Sequence, residues 1–553
     1  MAEESFDYVI VGAGSAGCVL ANRLTEEGAH TVLLLEYGGS DRSPFIQMPA
    51  ALSIPMNMPR YNWGYETEPE PHLGGRRLHT PRGKVLGGSS SINGLVYVRG
   101  NALDYEGWQS QGASGWGYHD VLPYFRRAER CAAGGDAYRG ADGPLATRSG
   151  DLANPLYGAW LAAGREAGYP SSQDLNGFQQ EGFGRLDMTV GGGRRYSAAR
   201  AYLQPALGRR ALEVRTHALA TRVIFEGRRA VGVRYRRGGA ERLARARREV
   251  ILACGAINSP QLLKLSGVGP GAELAEHGIA VVCAREGVGE NLQDHLEFYF
   301  QVACRAPITL YGHTSPLAKA LVGLRWLARK DGLGASNHFE TGGFIRSRAG
   351  VPYPDVQFHF LPMAVSYDGS SLAREHGFQA HVGPMRSKSR GWVRLASADP
   401  TAAPRIRFNY MSHPDDWLEM RACVHLTREI FAQPAFAPYR GREIQPGGQV
   451  TSDAAIDAFI RERVETAYHP SCTCRMGGPT DALAVVDPET RVIGVEALRL
   501  VDASIMPTIT NGNLNAPTIM LAEKAADHIR GRRPLPRADA PYYIAPNWQS
   551  AQR

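Results

Sequence analysis

The chain has 553 residues, 43% of them hydrophobic, with a formal net charge of +8. That is ample for a large core and long for a single domain, so two domains are expected. The 63 glycines follow no collagen period and form no Gly/Ser tract, which excludes a fibrous or low-complexity chain, and the positive charge comes with no nucleic-acid-binding motif, which excludes nucleic acid as a partner.

The N-terminus is acidic and runs directly into a strand pattern, so no signal peptide is expected. Eight cysteines in so long a chain are ordinary usage, and reduced thiols in the cytoplasm are the default. The longest apolar stretch, Tyr8 to Ala21, is broken by glycines and too short to cross a bilayer. Any membrane contact is therefore expected to be peripheral, on the inner face of the cell membrane.

Asp7 to Val11 reads as a short buried strand. Gly12-Ala13-Gly14-Ser15-Ala16-Gly17 follows, then a helical pattern through Val19, Leu20 and Leu24. A second buried strand, Thr31 to Leu35, ends at Glu36. Strand, glycine turn, helix, strand and acidic residue form the framework of a dinucleotide site. Gly12 permits the tight turn, Gly14 lets the backbone approach a pyrophosphate, and Gly17 lets the helix pack on the strand. The helix N-terminus offers unpaired N–H groups to phosphate, and Glu36 can accept from ribose hydroxyls. From Arg82 to Gly94 runs a loop of paired glycines and consecutive hydroxyls, able to wrap an extended cofactor such as FAD.

Arginine dominates between Arg209 and Arg248. A solvated face of strands and turns is the plain reading, and contact with anionic lipid the sharper one. Val223 to Phe225 and Val231 to Tyr235 flank a polar turn and read as a hairpin. Glu249 to Ala253 reads as a buried strand, followed by Gly255 and a helix from about Ser259. The stretch from about Ile308 to Val464 has its own alternation. Cys472-Thr473-Cys474 is too tightly spaced for a zinc knuckle. Leu498 to Val501 is another buried strand, ending at Asp502. Asn515-Ala516-Pro517-Thr518 opens a helix running to about Ile529, with Asn515 suited to its N-cap and Pro517 to its first turn.

GAGSAG, GKVLGGSSSINGLVYVRG, CGAINSPQLLKLSGVG (Cys254 to Gly269), HPSCTCRMG (His469 to Gly477) and VDASIMPTITNGNLNAPTIMLAEKAAD (Val501 to Asp527) together resemble the glucose–methanol–choline oxidoreductase family over nearly the whole chain. MPAALSIPMNMPRYNWGYETEPEP, GASNHFETGGFIRS and HVGPMRSKSRG are most similar to its choline-oxidising branch. The resemblance implies an α/β fold: a Rossmann-like FAD-binding domain assembled from residues 1–150, 210–300 and 465–535, and an α+β substrate-binding domain from 151–209 and 301–464. Beyond the fingerprint Gly12, Gly14, Ser15, Ala16, Gly17 and Glu36, the implied FAD contacts are Arg82, Val85, Gly87, Gly88, Ser89, Asn93, Gly94 and Val96 in the long loop. Val223, Ala253, Gly255, Asp502, Ala503, Asn515, Ala516, Pro517 and Thr518 complete them.

Oxidising an alcohol needs a base for the hydroxyl proton and an acceptor for the hydride, which FAD supplies at N5. The resemblance selects His469 as the acid/base, held in an extended backbone by Pro470. It makes Asn515 the second catalytic position, orienting or stabilising the alkoxide, and His359 a substrate-pocket histidine. A choline ammonium offers no hydrogen-bond donor, so only a carboxylate and aromatic faces hold it. Glu340 is the implied carboxylate, with Tyr468, Tyr61 and Trp63 as aromatic candidates. Ile92 stands where some choline-oxidising relatives carry a histidine linked to the flavin, so the FAD is expected to be non-covalent.

The expected reaction is choline to betaine aldehyde and onward, through its hydrate, to glycine betaine, with a membrane quinone as the favoured electron acceptor. The alternatives are a dehydrogenase of neutral primary alcohols such as alkanols or polyethers, and a lyase using FAD structurally.

Overall fold

Uninterrupted apolar runs become strands buried on both faces, which favours parallel pairing under covering helices. In the computed structural model, which describes residues 4–366 and 375–553, the strand Glu4–Val11 lies parallel between Val32–Leu35 and Ala240–Leu252. Leu212–Arg215 extends this sheet beyond Val32–Leu35, and Leu498–Leu500 pairs with the end of Ala240–Leu252. The expected hairpin is there, longer than its apolar residues alone suggest. Leu219–Glu226 and Arg229–Arg237 pair antiparallel, and the second strand pairs onward with Ala240–Leu252. Segments from the start, middle and end of the chain thus meet in one sheet. The helices Ser15–Leu24 and Asn515–Ile529 pack together in its core, joined also by an ion pair of Arg23 with Glu523 at 2.8 Å.

A second sheet is antiparallel throughout. Its order is Arg440–Gln445, Leu296–Cys304, Gly377–Pro384, Val356–Leu361, Thr341–Ile345 and Gly182–Arg185. Side chains alternate across each strand. Phe298, Phe300, Phe358, Phe360 and Phe378 face an aromatic core with Trp160, Phe431 and Phe436. Tyr299, His381 and His359 occupy one cross-strand row on the opposite face. That polar face looks toward the first sheet and carries the residues that matter below.

Three expectations shift. Leu296–Cys304 belongs wholly to the second sheet, so a boundary at residue 300 falls inside a strand, and Glu465–Thr466 also pairs with it. The helix expected from about Ser259 begins at Gly255, whose N–H is taken by Asp502 at 2.9 Å. Within the arginine-rich run, Arg215, Arg245 and Arg247 pair with Glu213, Glu226 and Asp7 at 2.7, 3.1 and 3.1 Å. Among the described residues no helix is long and apolar enough to cross a membrane.

Candidate active site

One elongated cavity runs from the glycine turn of the first sheet to the polar face of the second. At its first end, Gly12 has φ +97°, and a Cβ there would lie 2.5 Å from Ala253 O. A Cβ on Gly17 would lie 1.8 Å from Gly12 O, so only glycine lets helix and turn meet. A Cβ on Gly14 would meet only Ala253 O, at 3.8 Å, and otherwise fill space that a ligand needs. The long loop closes over this turn: Gly87 N donates to Ala13 O at 2.7 Å, and a Cβ on Gly88 would lie 2.7 Å from Gly14 Cα.

Two helix N-termini open on this cavity, at Ser15 and at Asn515, and neither has a side-chain cap or an acidic residue in its first turn. Unpaired N–H groups and two positive dipole ends suit a pyrophosphate. Glu36 lies at the same end, with its carboxylate accepting from Ala13 N at 2.9 Å and Gly38 N at 2.7 Å. Burial raises its pKa to about 7 despite those donors. Ribose hydroxyls would add the missing donors. The residues present therefore fit the nucleotide half of FAD.

At the far end, the segment after Glu465–Thr466 brings His469 into the cavity. Asp294 fixes it: its carboxylate accepts from His469 N at 2.7 Å, from Tyr410 Oη at 2.6 Å and from Thr466 Oγ1. The orientation of the ring follows from a histidine pair. Met385 O can only accept, so His295, 3.0 Å away through Nε2, carries its proton there. His295 Nδ1 is then an acceptor, and His469 donates to it from Nδ1 at 3.0 Å. This leaves His469 Nε2 with its lone pair, 3.2 Å from Asn513 Nδ2. Burial, then the neighbouring His295, His359 and Arg82, hold the His469 imidazolium well below its usual range. The ring is neutral at neutral pH and presents a base atom to the cavity.

The second position requires a correction. Asn515 is the first residue of its helix rather than the N-cap, and its Oδ1 accepts from Ser15 Oγ at 2.8 Å, tying the two helix N-termini together. The asparagine beside His469 is Asn513, whose Oδ1 also lies 3.3 Å from His359 Nε2. His359 lines the cavity, with its pKa lowered by burial to about 4.

The carboxylate also requires a correction. Glu340 does not line the cavity. Its oxygens accept from Leu152 N and Ser336 Oγ, both at 2.7 Å, so it anchors the neighbouring chain instead. The buried carboxylate at the His469 end of the cavity is Glu297, whose Oε1 meets His381 Nδ1 at 3.1 Å. Phe339 stands beside it, edge-on to the His359 and His381 rings at 5.9 and 5.3 Å. Tyr468 lines the cavity, whereas Tyr61 is buried in an apolar cluster with Ile46, Met56, Val85 and Ile92. Trp63 lines it too, but stacks on Tyr65 and meets Tyr37 at a tilt, next to Glu36.

Of the implied cofactor contacts, Gly12, Gly14, Ser15, Ala16, Glu36, Arg82, Gly88, Ser89, Asn93, Gly94, Val96, Ala253, Gly255, Asp502, Ala503, Asn515 and Thr518 line the cavity. Gly17, Val85, Gly87, Ala516 and Pro517 stand behind it. Val223 is displaced outright: it is buried in its strand with its N–H bonded to Ser266 Oγ, and Ala218, Leu219 and Ala220 line the cavity there. Ile92 lines the cavity as well.

A glycine-cradled dinucleotide site that opens onto a buried neutral imidazole defines an oxidoreductase of the flavin-binding α/β class. The comparisons agree: the GMC oxidoreductase models match residues 6–297 and 387–522. The oxygen-dependent choline dehydrogenase of Brucella anthropi is 59% identical over 547 residues, covering 99% of this chain and 100% of the relative. That of Photobacterium profundum is 56% identical, covering 99% and 97%. Among solved structures, pyridoxine 4-oxidase from Mesorbium loti is 31% identical with a TM-score of 0.86, covering 95% of this chain and 99% of that one. A formate oxidase of Aspergillus oryzae, studied for its FAD modification, is 26% identical with a TM-score of 0.89, covering 96% and 99%. The chain belongs to the GMC oxidoreductase family and is an FAD-dependent alcohol oxidoreductase.

Proposed function

We propose that this chain oxidises choline to betaine aldehyde, and the aldehyde hydrate to glycine betaine. The observation that carries the reading is the pairing, in one buried space, of the His469 base atom with the Glu297 carboxylate. When bound, FAD supplies the hydride acceptor. Everything else falls to the chain. His469 Nε2 takes the hydroxyl proton, and Asn513 Nδ2 stands 3.2 Å from it to donate to the developing alkoxide. Glu297, with Phe339, Tyr468 and the His381 ring, offers a negative and aromatic end to the trimethylammonium group. The hydrate of betaine aldehyde keeps both the cation and a hydroxyl, so the same contacts serve a second turnover. The names of the close relatives support the same substrate.

Ile92 has no nucleophilic atom, which supports non-covalent FAD. His469, Asn513, His359 and Glu297 are the proposed substrate and catalytic residues. Electron transfer to oxygen is supported by the relatives' names, and to a quinone by the resemblance to dehydrogenases of the family. Steady-state assays with each acceptor separate the two. The substrate assignment is tested by comparing choline with its neutral isostere 3,3-dimethylbutan-1-ol. Choline is expected to have the higher kcat/KM by well over tenfold, and equal values would overturn it.

A further inference from the structure

The helix Pro316–Arg329 carries its apolar face outward. Leu317, Leu321, Leu324 and Leu327 are 72%, 58%, 62% and 54% exposed, while only Trp326 is buried. Their spacing places them on one face with Ala320 and Ala328, the face that a helix of a globular core turns inward. Trp326 anchors the helix from the other side, donating from Nε1 to Gly193 O at 2.7 Å. Exposed contiguous leucines of this kind mark an interaction surface.

The charges on the helix itself have one sign. From Pro316 to Lys330 there is no acidic residue. Arg325 pairs with Asp331 at 2.7 Å and Arg329 also acts on that carboxylate, whereas Lys319 and Lys330 meet no carboxylate among the described residues. At the C-terminal end of the helix lies an open cleft lined by Arg130, Arg148, Arg200 and Tyr196. It is tied to the helix through Gly193 and through Arg148 Nη2, which donates to Ala335 O at 3.2 Å. Arg148 pairs with Asp151 at 3.0 Å. Arg130 bonds Tyr196 Oη and meets no carboxylate among the described residues, while Arg200 bonds Gln47 and lies within electrostatic reach of Asp41. The arginine-rich hairpin is a poorer candidate, because neither Leu219–Glu226 nor Arg229–Arg237 carries an exposed large apolar side chain to enter the acyl boundary.

We propose that this face docks on an anionic phospholipid bilayer, with the four leucines in the acyl boundary and the cations of the helix and the cleft on headgroup phosphates. A 14-residue helix is ~21 Å long and suits lying in the interface rather than spanning it. Charge complementarity favours lipid over a second copy of the chain, since two-fold pairing of this face would set cation against cation. The neighbouring residues Pro49–Ala51 pack on Gly332–Ala335, and Leu52 and Met56, which follow, line the active cavity. Docking therefore places one wall of that cavity near the membrane. This inference does not depend on the substrate assignment.

The test is flotation of holoenzyme with vesicles of phosphatidylcholine alone and with about 30 mol% phosphatidylglycerol. Binding to the anionic vesicles is expected, weakened at least tenfold by omitting phosphatidylglycerol or adding about 0.5 M salt. The Leu321→Gln/Leu324→Gln variant should lose at least tenfold in partitioning. Leu418→Gln, which alters a leucine 54% exposed on another helix, should not change it. Arg130→Gln/Arg200→Gln should weaken binding to anionic vesicles and reduce its salt dependence. All should keep their flavin and turnover with a soluble acceptor within about twofold, which shows that they are folded. Absence of binding to anionic vesicles, or undiminished binding by both double variants, would overturn the proposal. So would a variant that splits a dimer in light scattering while vesicle binding stays unchanged, which would assign the face to contact between copies.

Discussion

Replacing Glu297 by glutamine removes one negative charge and leaves the volume almost unchanged. The amide oxygen can still accept from His381 Nδ1, now 3.1 Å from Oε1, so the local hydrogen bond survives. What is lost is attraction for a cation in a buried space. At an effective dielectric near 20, charges about 4.5 Å apart attract by roughly 4 kcal/mol. Desolvating both charges offsets part of this, leaving about 2–3 kcal/mol, or roughly 30- to 150-fold in kcat/KM for choline. The assay measures initial rates with a soluble acceptor, with choline and 3,3-dimethylbutan-1-ol in parallel. The neutral alcohol should change by less than about threefold, because it never used the charge. Glu340→Gln is the control: its carboxylate anchors Leu152 and Ser336, so the variant should lower thermal stability and leave the preference for choline intact. Equal losses on both alcohols in Glu297→Gln, or a collapse of preference in Glu340→Gln, would refute the assignment of the cation site.

His469→Ala should lower the rate of flavin reduction by choline about 10²- to 10⁴-fold, read by stopped-flow absorbance, while flavin content is retained. Because burial, His295, His359 and Arg82 depress the His469 pKa, its base form persists as pH falls. kcat/KM should therefore stay flat from neutral pH to well below 6.5 and decline only as the imidazole protonates; a decline centred on 6.5 would contradict the buried environment. Gly12→Ala places a Cβ 2.5 Å from Ala253 O at a φ of +97°, so the purified variant should lose most of its flavin absorbance relative to protein. Acid precipitation of the wild-type protein should leave yellow flavin in the supernatant. Flavin in the pellet would contradict the non-covalent reading of Ile92.

The nucleotide end was legible in the sequence because its demands are local. Tight turn, close approach and helix packing are each met by a glycine at a fixed offset, and Gly12, Gly14 and Gly17 lie where those demands fall. The substrate end is less legible because it depends on pairing across distant segments. In NGNLNAP three asparagines stand at alternate positions, Asn511, Asn513 and Asn515, and capping logic favours Asn515. Only the arrival of His469, from a segment 44 residues earlier, selects Asn513. Glu340 and Glu297 differ in the same way. A signal for Glu297 was present: in LEFYFQV the polar positions Glu297 and Gln301 alternate with Phe298, Phe300 and Val302, so one face of a buried strand is polar. His295 is the residue whose role no sequence pattern announces. Its effect on His469 passes through a carbonyl on another strand end, that of Met385.

Anaerobic addition of choline to the purified holoenzyme tests the central claim most directly. Rapid bleaching of the oxidised flavin band is expected in the wild type, and bleaching slowed at least about a hundredfold in His469→Ala. A flavin spectrum left unchanged by choline, in a protein that retains its flavin, would contradict it.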